Sequence, residues 1–265
     1  MKQTEHTVNM DYVVLGKSNL LVSRTGFGAA SLGKAESQEI AIKMVKKAYE
    51  EGINFFDTSK SEVESSKRLG AAIAEFPAMR KNIFIAAKSS AHSADELAED
   101  IDTCLSNLQT DYIDLFQLVR TNFLPGNEEI GLVEKLLNLK TTGVIKHYGI
   151  STDSIETALS MLTSEVGWET LQFPFNMLCG KETEQLTQEF FKADIGFIAS
   201  RPLCGGVVTN LPLALGYLQQ FDNVVPVWGV QTEDELQQIL YFTQNPPNID
   251  EKFNEEVEKI RQFFN

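Results

Sequence analysis

The sequence has few of the residues that mark disulfide-stapled or zinc-binding proteins. It contains three cysteines in 265 residues, namely Cys104, Cys179 and Cys204. They form no C-x-x-C pair, and no histidine stands at ligand spacing from them, so a disulfide framework or a zinc site is not expected. Unpaired thiols are typical of a reducing compartment, and we therefore expect a cytoplasmic protein.

Long apolar runs and an excess of positive charge are also missing. No stretch approaches the roughly 18 consecutive apolar residues of a membrane span, and the first residues lack the apolar core of a secretion signal. Lys and Arg number 23 against 37 Asp and Glu, which gives a formal net charge of −14. Nucleic acids and anionic membranes attract basic surfaces, so we expect neither as a partner. A small molecule is the expected ligand, and the oligomeric state stays open.

What the sequence does contain is a regular alternation of two patterns. Hydrophobic residues make up 43% of the chain, enough for a full core and too many for a disordered chain. Eight short runs rich in β-branched and aromatic residues alternate with amphipathic segments of helical period. The runs begin at residues 24, 52, 82, 112, 146, 170, 195 and 224. The helical segments are 37–51, 65–74, 94–108, 128–142, 155–162, 182–192, 211–220 and 233–244.

Strand followed by helix, repeated eight times, predicts an α/β fold of the (β/α)8 TIM barrel type, in one domain over residues 1–265. Residues 1–9 are expected to form a flexible N-terminal segment. The alternative is a doubly wound open sheet, but the turn after the first strand, GFGAASLG from residue 26, does not match the G-x-G-x-x-G pattern of that fold. Residues 12–24 predict a β-hairpin able to plug the barrel bottom, and residues 249–264 predict an extra exterior C-terminal helix.

In such barrels the chemistry takes place where the strands end, at the carboxyl side. The polar residues predicted there are Asp57, Lys88, Ser151, Thr152, Gln172, Asn176, Ser200, Arg201 and Gln231. Asp57 and Lys88 end adjacent strands, so their side chains are expected to meet inside the mouth, partly dehydrated. Such a pair is costly unless it is well bonded or used, and it is either a catalytic feature or a structural ion pair.

Several motifs now carry a resemblance to a known family. They are VVLGKSNLLVSRTGFGA from residue 13, GINFFDTS from 52, NIFIAAKS from 82, LQTDYIDLFQL from 108, GVIKHYGIS from 143, LQFPFN from 171, PLCGG from 202 and GVQTEDEL from 229. Together they resemble the aldo/keto reductases over nearly the whole chain, in particular the core of the subgroup that often carries a ferredoxin-like tail. That tail is not seen here, and three scattered cysteines cannot supply four thiolates, so no iron–sulfur cluster and no metal are expected.

The resemblance implies a carbonyl reductase in which an Asp and a Lys tune a Tyr that protonates the carbonyl, while a His orients the substrate. The Asp falls on Asp57 and the Lys on Lys88, but the Tyr falls on Glu62 and the His on Val119. Loss of a positioned acid typically costs about 10²- to 10⁴-fold in rate, so ordinary carbonyl reduction should be strongly impaired. Glu62 can substitute only if it stays protonated. Arg120, beside Val119, is a candidate clamp for a carboxylate or phosphate.

The resemblance also implies NADP(H) as cofactor, with its nicotinamide near the ends of three strands. Ser151, Gln172 and Asn176 match residues that lie near the carboxamide in the family. Ser200 stands where many members place an aromatic side chain against the ring, so stacking there is weak. Arg201 keeps a cation that can meet a phosphate.

At the phosphate end the match is poorer. The turn at Gly229 and the helix after it can receive a phosphate, since backbone N–H groups point out of a helix N-terminus. The resemblance places Gln231 where a cation usually meets the 2′-phosphate, Glu235 where Gln or Arg is common, and Ile239 where Asn usually meets the adenine. The acids of the first helical turn repel an added phosphate.

Three functions therefore stay open. The first is an aldo/keto reductase-like oxidoreductase with an atypical active site, acting on a small carbonyl compound through Asp57, Lys88 and Glu62. The second is a catalytically inactive pseudoenzyme that serves as a binding or regulatory module. The third uses Lys88 as a base or a Schiff-base nucleophile in lyase or isomerase chemistry.

Overall fold

The structure is a computed structural model that describes residues 10–122, 124–125, 129 and 131–264. The predicted flexible segment 1–9 lies outside these residues. The strands are β1 Tyr12–Val14, β2 Leu21–Ser23, β3 Gly26–Gly28, β4 Phe55–Asp57, β5 Phe84–Ser89, β6 Ile113–Val119, β7 Ile145–Ser151, β8 Thr170–Pro174, β9 Gly196–Ser200 and β10 Val224–Gly229. The α-helices are α1 Gln38–Glu50, α2 Val63–Glu75, α3 Ala94–Leu108, α4 Leu132–Thr141, α5 Ile155–Ser160, α6 Lys181–Lys192, α7 Leu211–Gln219, α8 Glu233–Gln244 and α9 Glu251–Phe264.

Eight parallel strands, β3 to β10, close into a barrel, with β10 pairing β3 to complete the ring. The predicted (β/α)8 barrel is therefore confirmed, and the open doubly wound sheet is excluded. Local sequence sets the helix starts, since the Ser37 side chain accepts a hydrogen bond from the Ile40 amide and Ser93 accepts one from the Glu96 amide. At Ser93 only half of a capping box is formed, because the Glu96 carboxylate accepts from the amide of His92 and not from that of Ser93.

The predicted hairpin is present as β1 and β2 and closes the lower end of the barrel. Its Leu15, Leu20 and Val22 are buried in one cluster with residues that point into the barrel from the strands. The turn fits tightly, because Gly16 has φ +54 and a Cβ there would collide with the backbone of Gly196. The hairpin is thus the apolar plug that the sequence predicts.

Side chains alternate along each strand between the barrel interior and the layer under the helices. On β6, Leu115 belongs to the interior cluster with the hairpin residues, and Phe116 belongs to the outer core. By this period of two, Gln117 and Val119 also face the interior, nearer the carboxyl end. The strands therefore carry apolar interior residues below and polar ones above.

The predicted C-terminal helix is present as α9 and packs on the outside of the barrel. Phe253 and Val257 are buried against the core. Arg261 donates to the carbonyl of Met177 at 2.6 Å and forms an ion pair with Glu184 at 2.7 Å. Among the described residues, no helix is both long enough and apolar enough to cross a membrane.

Candidate active site

Asp57 and Lys88 form the polar centre of the barrel mouth. β4 and β5 are paired neighbours, which brings the two side chains together as predicted. The Lys88 ammonium donates to both carboxylate oxygens of Asp57, at 2.7 and 2.6 Å. The side chains are 17% and 8% exposed, so the pair is largely withdrawn from water but still reachable from the mouth. An ammonium has three N–H donors, and within the described ranges the third has no acceptor.

Glu62 lies apart from this tight pair. It is the exposed N-cap residue of α2, and its side chain makes no capping hydrogen bond. Its backbone closes the turn that begins at Ser59, since the Glu62 amide donates to the carbonyl of Ser59 at 3.0 Å.

Val119 ends β6 opposite Ser151 and brings no polar group to the mouth. The neighbouring Arg120 is buried, and its guanidinium donates to the carbonyls of Val119 and Ala91 and to Glu129. Burial lowers the pKa of Arg120, while the charge of Glu129 opposes the shift. The hypothesis of an Arg120 clamp open to a ligand is therefore wrong, because these contacts bury the guanidinium inside the protein.

The residues predicted to lie near a nicotinamide form a second polar group. The Ser151 hydroxyl donates to the Gln172 carbonyl oxygen at 3.2 Å. Gln172 is 2% exposed, and its Nε2 has no hydrogen-bond partner among the described residues. Asn176 is occupied at both ends, since it donates to the carbonyl of Arg201 and accepts from the amide of Leu178. Gln172 therefore keeps a free donor, whereas Asn176 fixes the loop after β8.

The next strand end offers a half-buried hydroxyl and an exposed cation. Ser200 closes β9, and its carbonyl accepts from the amide of Phe175. Arg201 follows in the left-handed conformation with φ 52, and its side chain is exposed. Left-handed backbone is uncommon for a residue other than glycine and points to a local constraint. The Arg201 guanidinium is exposed to solvent, and its contact with a phosphate stays a prediction.

The turn after β10 is already occupied by the protein itself. The Glu235 carboxylate accepts from the amides of Gln231, at 2.7 Å, and Thr232, at 3.4 Å, while the Thr232 hydroxyl accepts from the Glu235 amide. This capping box occupies the amides of Gln231, Thr232 and Glu235, which belong to the turn that the sequence offers to a phosphate. Ile239 is 4% exposed and packs in the core. A phosphate that bonds the amides of Gln231 or Thr232 would have to displace the Glu235 carboxylate.

The sequence motifs do not single out Gln117 as a residue near the mouth. Gln117 on β6 is fully buried, and neither its Oε1 nor its Nε2 has a hydrogen-bond partner among the described residues. Its register partner on β5 is Lys88. A polar residue at an interior position, two places after Leu115, is a signal that the period of the strand could have revealed.

Comparisons with known proteins identify the family of the chain. The model of the aldo/keto reductase family matches residues 24–212. The chain is 31% identical over 149 residues to the L-galactose dehydrogenase of Arabidopsis thaliana, covering 52% of this chain and 47% of that protein. It is 27% identical over 219 residues to the aldo-keto reductase YhdN of Bacillus subtilis, covering 76% and 64%. The chain belongs to the aldo/keto reductase family, and its matches span about half to two thirds of these relatives.

Solved structures show the same fold. An aldo-keto reductase from Bacillus halodurans in its holo form superposes with a TM-score of 0.81 at 22% identity, over 95% of this chain and 96% of that one. An aldo-keto reductase from Klebsiella pneumoniae in complex with NADPH superposes with a TM-score of 0.80 at 16% identity, over 95% of both chains. At these identities the likeness establishes the barrel.

The residues fit a nicotinamide cofactor at one end and not at the other. The unpartnered Nε2 of Gln172 matches a carboxamide oxygen, because a buried donor without an acceptor is costly. The capping box and the acids of the first turn of α8 do not match a 2′-phosphate. No grouping of three or more His, Cys, Asp or Glu suited to a metal ion occurs within the described residues.

Proposed function

We propose that this chain is an aldo/keto reductase-type oxidoreductase that reduces a small carbonyl compound with NADP(H), in the cytoplasm, and that Lys88 rather than Glu62 donates the proton. The observation that carries the proposal is the Lys88 ammonium, which donates to both oxygens of Asp57 and whose third N–H has no acceptor among the described residues. Glu62 is exposed at the start of α2, and among the described residues its side chain bonds neither Asp57 nor Lys88.

The roles of the residues follow from that arrangement. Asp57 orients Lys88, and Lys88 donates to the carbonyl oxygen and transfers a proton to it as negative charge develops there. The cofactor, when bound, supplies the hydride to the carbonyl carbon. Gln172 and Ser151 would hold the carboxamide. Lys88 then regains its proton from water at the mouth, which it can reach because 17% of its side chain is exposed.

We also propose that the cofactor binds weakly. Glu235 competes with the cofactor phosphates for the amides of Gln231 and Thr232. Gln231 brings no cation that would offset the loss. Arg201 is exposed near the end of β9 and is the cation that would pair with a phosphate.

The experiment is a calorimetric titration with NADPH and with NADH, followed by cofactor oxidation assays on a panel of aldehydes and ketones. Lys88→Met and Glu62→Gln form the matched pair of variants. We expect Lys88→Met to lower turnover by about 10²-fold or more and Glu62→Gln to leave it within about twofold. Loss of turnover in Glu62→Gln with turnover intact in Lys88→Met would assign the acid to Glu62 instead.

A second candidate function is a binding module without catalysis. It is favoured by the turn after β10, where Glu235 occupies the amides of Gln231 and Thr232, and by Val119, which brings no imidazole to the substrate side. Absence of binding by either nucleotide at millimolar concentration, in protein shown to be folded, supports that module and refutes hydride transfer.

Lysine chemistry of the lyase or isomerase kind has less support. Asp57 contacts Lys88 through both oxygens, which suits an ammonium and not the neutral amine that attacks a carbonyl. Borohydride trapping tests it, because a mass increase at Lys88 with any carbonyl of the panel would restore the idea.

A further inference from the structure

Two of the three cysteines lie on adjoining loops at the carboxyl end of the barrel. Cys179 follows β8, and Cys204 follows β9, the strand that pairs with β8. Both are half-buried free thiols that pack against the same hydrophobic core. Cys104, on α3, is only 1% exposed. The fold therefore brings two partly accessible thiols, far apart in the chain, to the same end of the barrel.

Hydrogen bonds tie the turns of these two cysteines together. The amide of Cys179 donates to the carbonyl of Asn176 at 3.0 Å, and the amide of Cys204 donates to the carbonyl of Arg201 at 2.8 Å. The same Arg201 oxygen also accepts from the side-chain amide of Asn176 at 3.1 Å. Each cysteine thus closes a turn, and the first residues of the two turns are bonded directly to each other.

Glycines give both turns room to adjust. Gly180 follows Cys179, while Gly205 and Gly206 follow Cys204, and all three glycines are exposed. A Cβ added at any of them would meet no other described atom within 4 Å. Cys204 itself has a left-handed φ of 49, which is uncommon for a residue other than glycine. The backbone beside both sulfurs can therefore move toward the narrow geometry that a disulfide requires.

We propose that Cys179 and Cys204 form a reversible disulfide when the protein meets a small disulfide of the oxidised-glutathione type. The Cys204 thiolate attacks one sulfur of the reagent, and one small thiol leaves. The Cys179 thiolate then attacks the Cys204 sulfur and releases the second small thiol. Two electrons pass from the protein to the reagent, and the two thiol protons end on the released thiols. The site uses neither Asp57 nor Lys88 and is independent of the proposed function.

The surroundings of the cysteines set the order of these steps. Burial raises the pKa of Cys179, and the charge of Cys204 adds to the rise, as expected for neighbouring thiols, while Arg261 opposes it. Cys204 lies beside two exposed glycines, so the reagent meets this thiol first. Arg261 bonds the carbonyl of Met177 and is the cation that favours the Cys179 thiolate in the second step. Burial raises the pKa of Cys104 to about 12, so this thiol stays unreactive.

Intact-mass measurement tests the pair in the unmodified protein, kept folded as shown by circular dichroism. The protein is incubated with excess oxidised glutathione, and the remaining thiols are alkylated after denaturation. We expect a monomer that has lost two hydrogen atoms, carries no glutathione and takes up one alkyl group, at Cys104. Protease digestion should give two peptides joined through Cys179 and Cys204, and dithiothreitol should separate them. Free thiols at both positions, a lasting glutathione adduct or a disulfide between two chains would overturn the proposal.

Serine variants separate the two steps. Cys179→Ser removes the thiol that acts second, so this variant should keep one glutathione on Cys204. Cys104→Ser is the matched control and should still form the bridge in full. Loss of the bridge in Cys104→Ser, or no adduct in Cys179→Ser, contradicts the assignment. The peptide map of the unmodified protein decides the matter even if a variant fails to fold.

Discussion

The lower and upper halves of the barrel interior differ in how their polar groups are satisfied. Below, Leu15, Leu20 and Val22 of the hairpin fill an apolar cluster. Nearby, Glu169 is bonded through both oxygens, to Lys140 and His147 on one and to the amide of Tyr148 on the other. Above, the interior residues Gln117 and Gln172 have side-chain atoms that are unpartnered among the described residues.

The apolar lower half of the barrel interior therefore serves stability, and the polar upper half is available for chemistry. Leu115 and Gln117 lie two positions apart on β6, yet Leu115 packs in the apolar cluster and Gln117 has polar atoms that are unpartnered among the described residues. Local departures from complete hydrogen bonding are expected at functional sites, with the rest of the fold compensating. Substitutions below should change stability alone, and substitutions above should change ligand binding or catalysis as well.

The largest effect is expected from opening the apolar plug. Leu15 is 1% exposed and packs against Gly196, so Leu15→Ala leaves a cavity. We expect a loss of about 4 kcal/mol in the free energy of unfolding, measured in urea. Cofactor affinity should stay unchanged in the folded variant. A loss below about 1 kcal/mol would show that the hairpin does not close the barrel in solution.

The next largest effect concerns the ion pair at the mouth. Lys88→Met leaves the Asp57 carboxylate, 8% exposed, without its partner. We expect a loss of about 3 kcal/mol, since breaking a buried pair strands one charge. The double variant Asp57→Asn, Lys88→Met is the control and should recover most of that stability. Equal losses in the single and double variants would mean that packing, not charge, holds this region.

Urea unfolding at a series of pH values tests the ion pairs of Glu169 near the lower end of the barrel. Burial raises the pKa of Glu169, but hydrogen bonds from His147, Lys140 and the Tyr148 amide outweigh it and bring the pKa below its ordinary 4.5. A group whose pKa is lowered in the folded state stabilises the protein above its unfolded-state pKa. This stabilisation is lost as the pH falls through the folded-state pKa. Glu169→Gln should therefore cost about 2 kcal/mol at neutral pH and progressively less below about pH 4. A cost independent of pH would exclude this charge effect.

The smallest effect is expected at the turn after β10. Thr232→Ala removes half of the capping box and should cost about 1 kcal/mol of stability. Thr232→Ser is the matched control, because serine keeps the hydroxyl. Circular dichroism in urea measures the stability, and calorimetry with NADPH measures binding. An unchanged stability would mean that Glu235 alone caps the helix.

Much of the fold was predictable because it rests on local signals. The bounds of α3 and α8 agree with the predicted 94–108 and 233–244, since caps and apolar period mark them. Of the helix predicted over 128–142, residues 128 and 130 lie outside the described residues, and the helix is observed as Leu132–Thr141 after Gly131, which has φ +83. The pairing of Asp57 with Lys88 was also predictable, because neighbouring parallel strands end at the same edge.

The partners of side chains were harder to predict. Arg120 follows a strand at the mouth, yet it turns inward to Glu129, nine residues further along the chain. Glu235 has the sequence position of a cofactor contact, yet its carboxylate returns to the amides of its own turn. Gln117 lies within a family motif and at an interior position of β6, but only the structure shows that it is fully buried and unpartnered among the described residues.

Residue type and order alone fix the alternation of strands and helices and the apolar hairpin, and they predict that Glu62 and Val119 replace the Tyr and His of the family. Apart from the Asp57–Lys88 pair and the local capping box at Glu235, the partners of the polar groups depend on the tertiary structure. Hydrogen bonds require donor–acceptor distances of about 3 Å, held to within a few tenths of an ångström, between atoms that lie far apart in the chain. The unpartnered atoms that Gln117 and Gln172 have among the described residues exist only once the barrel has closed.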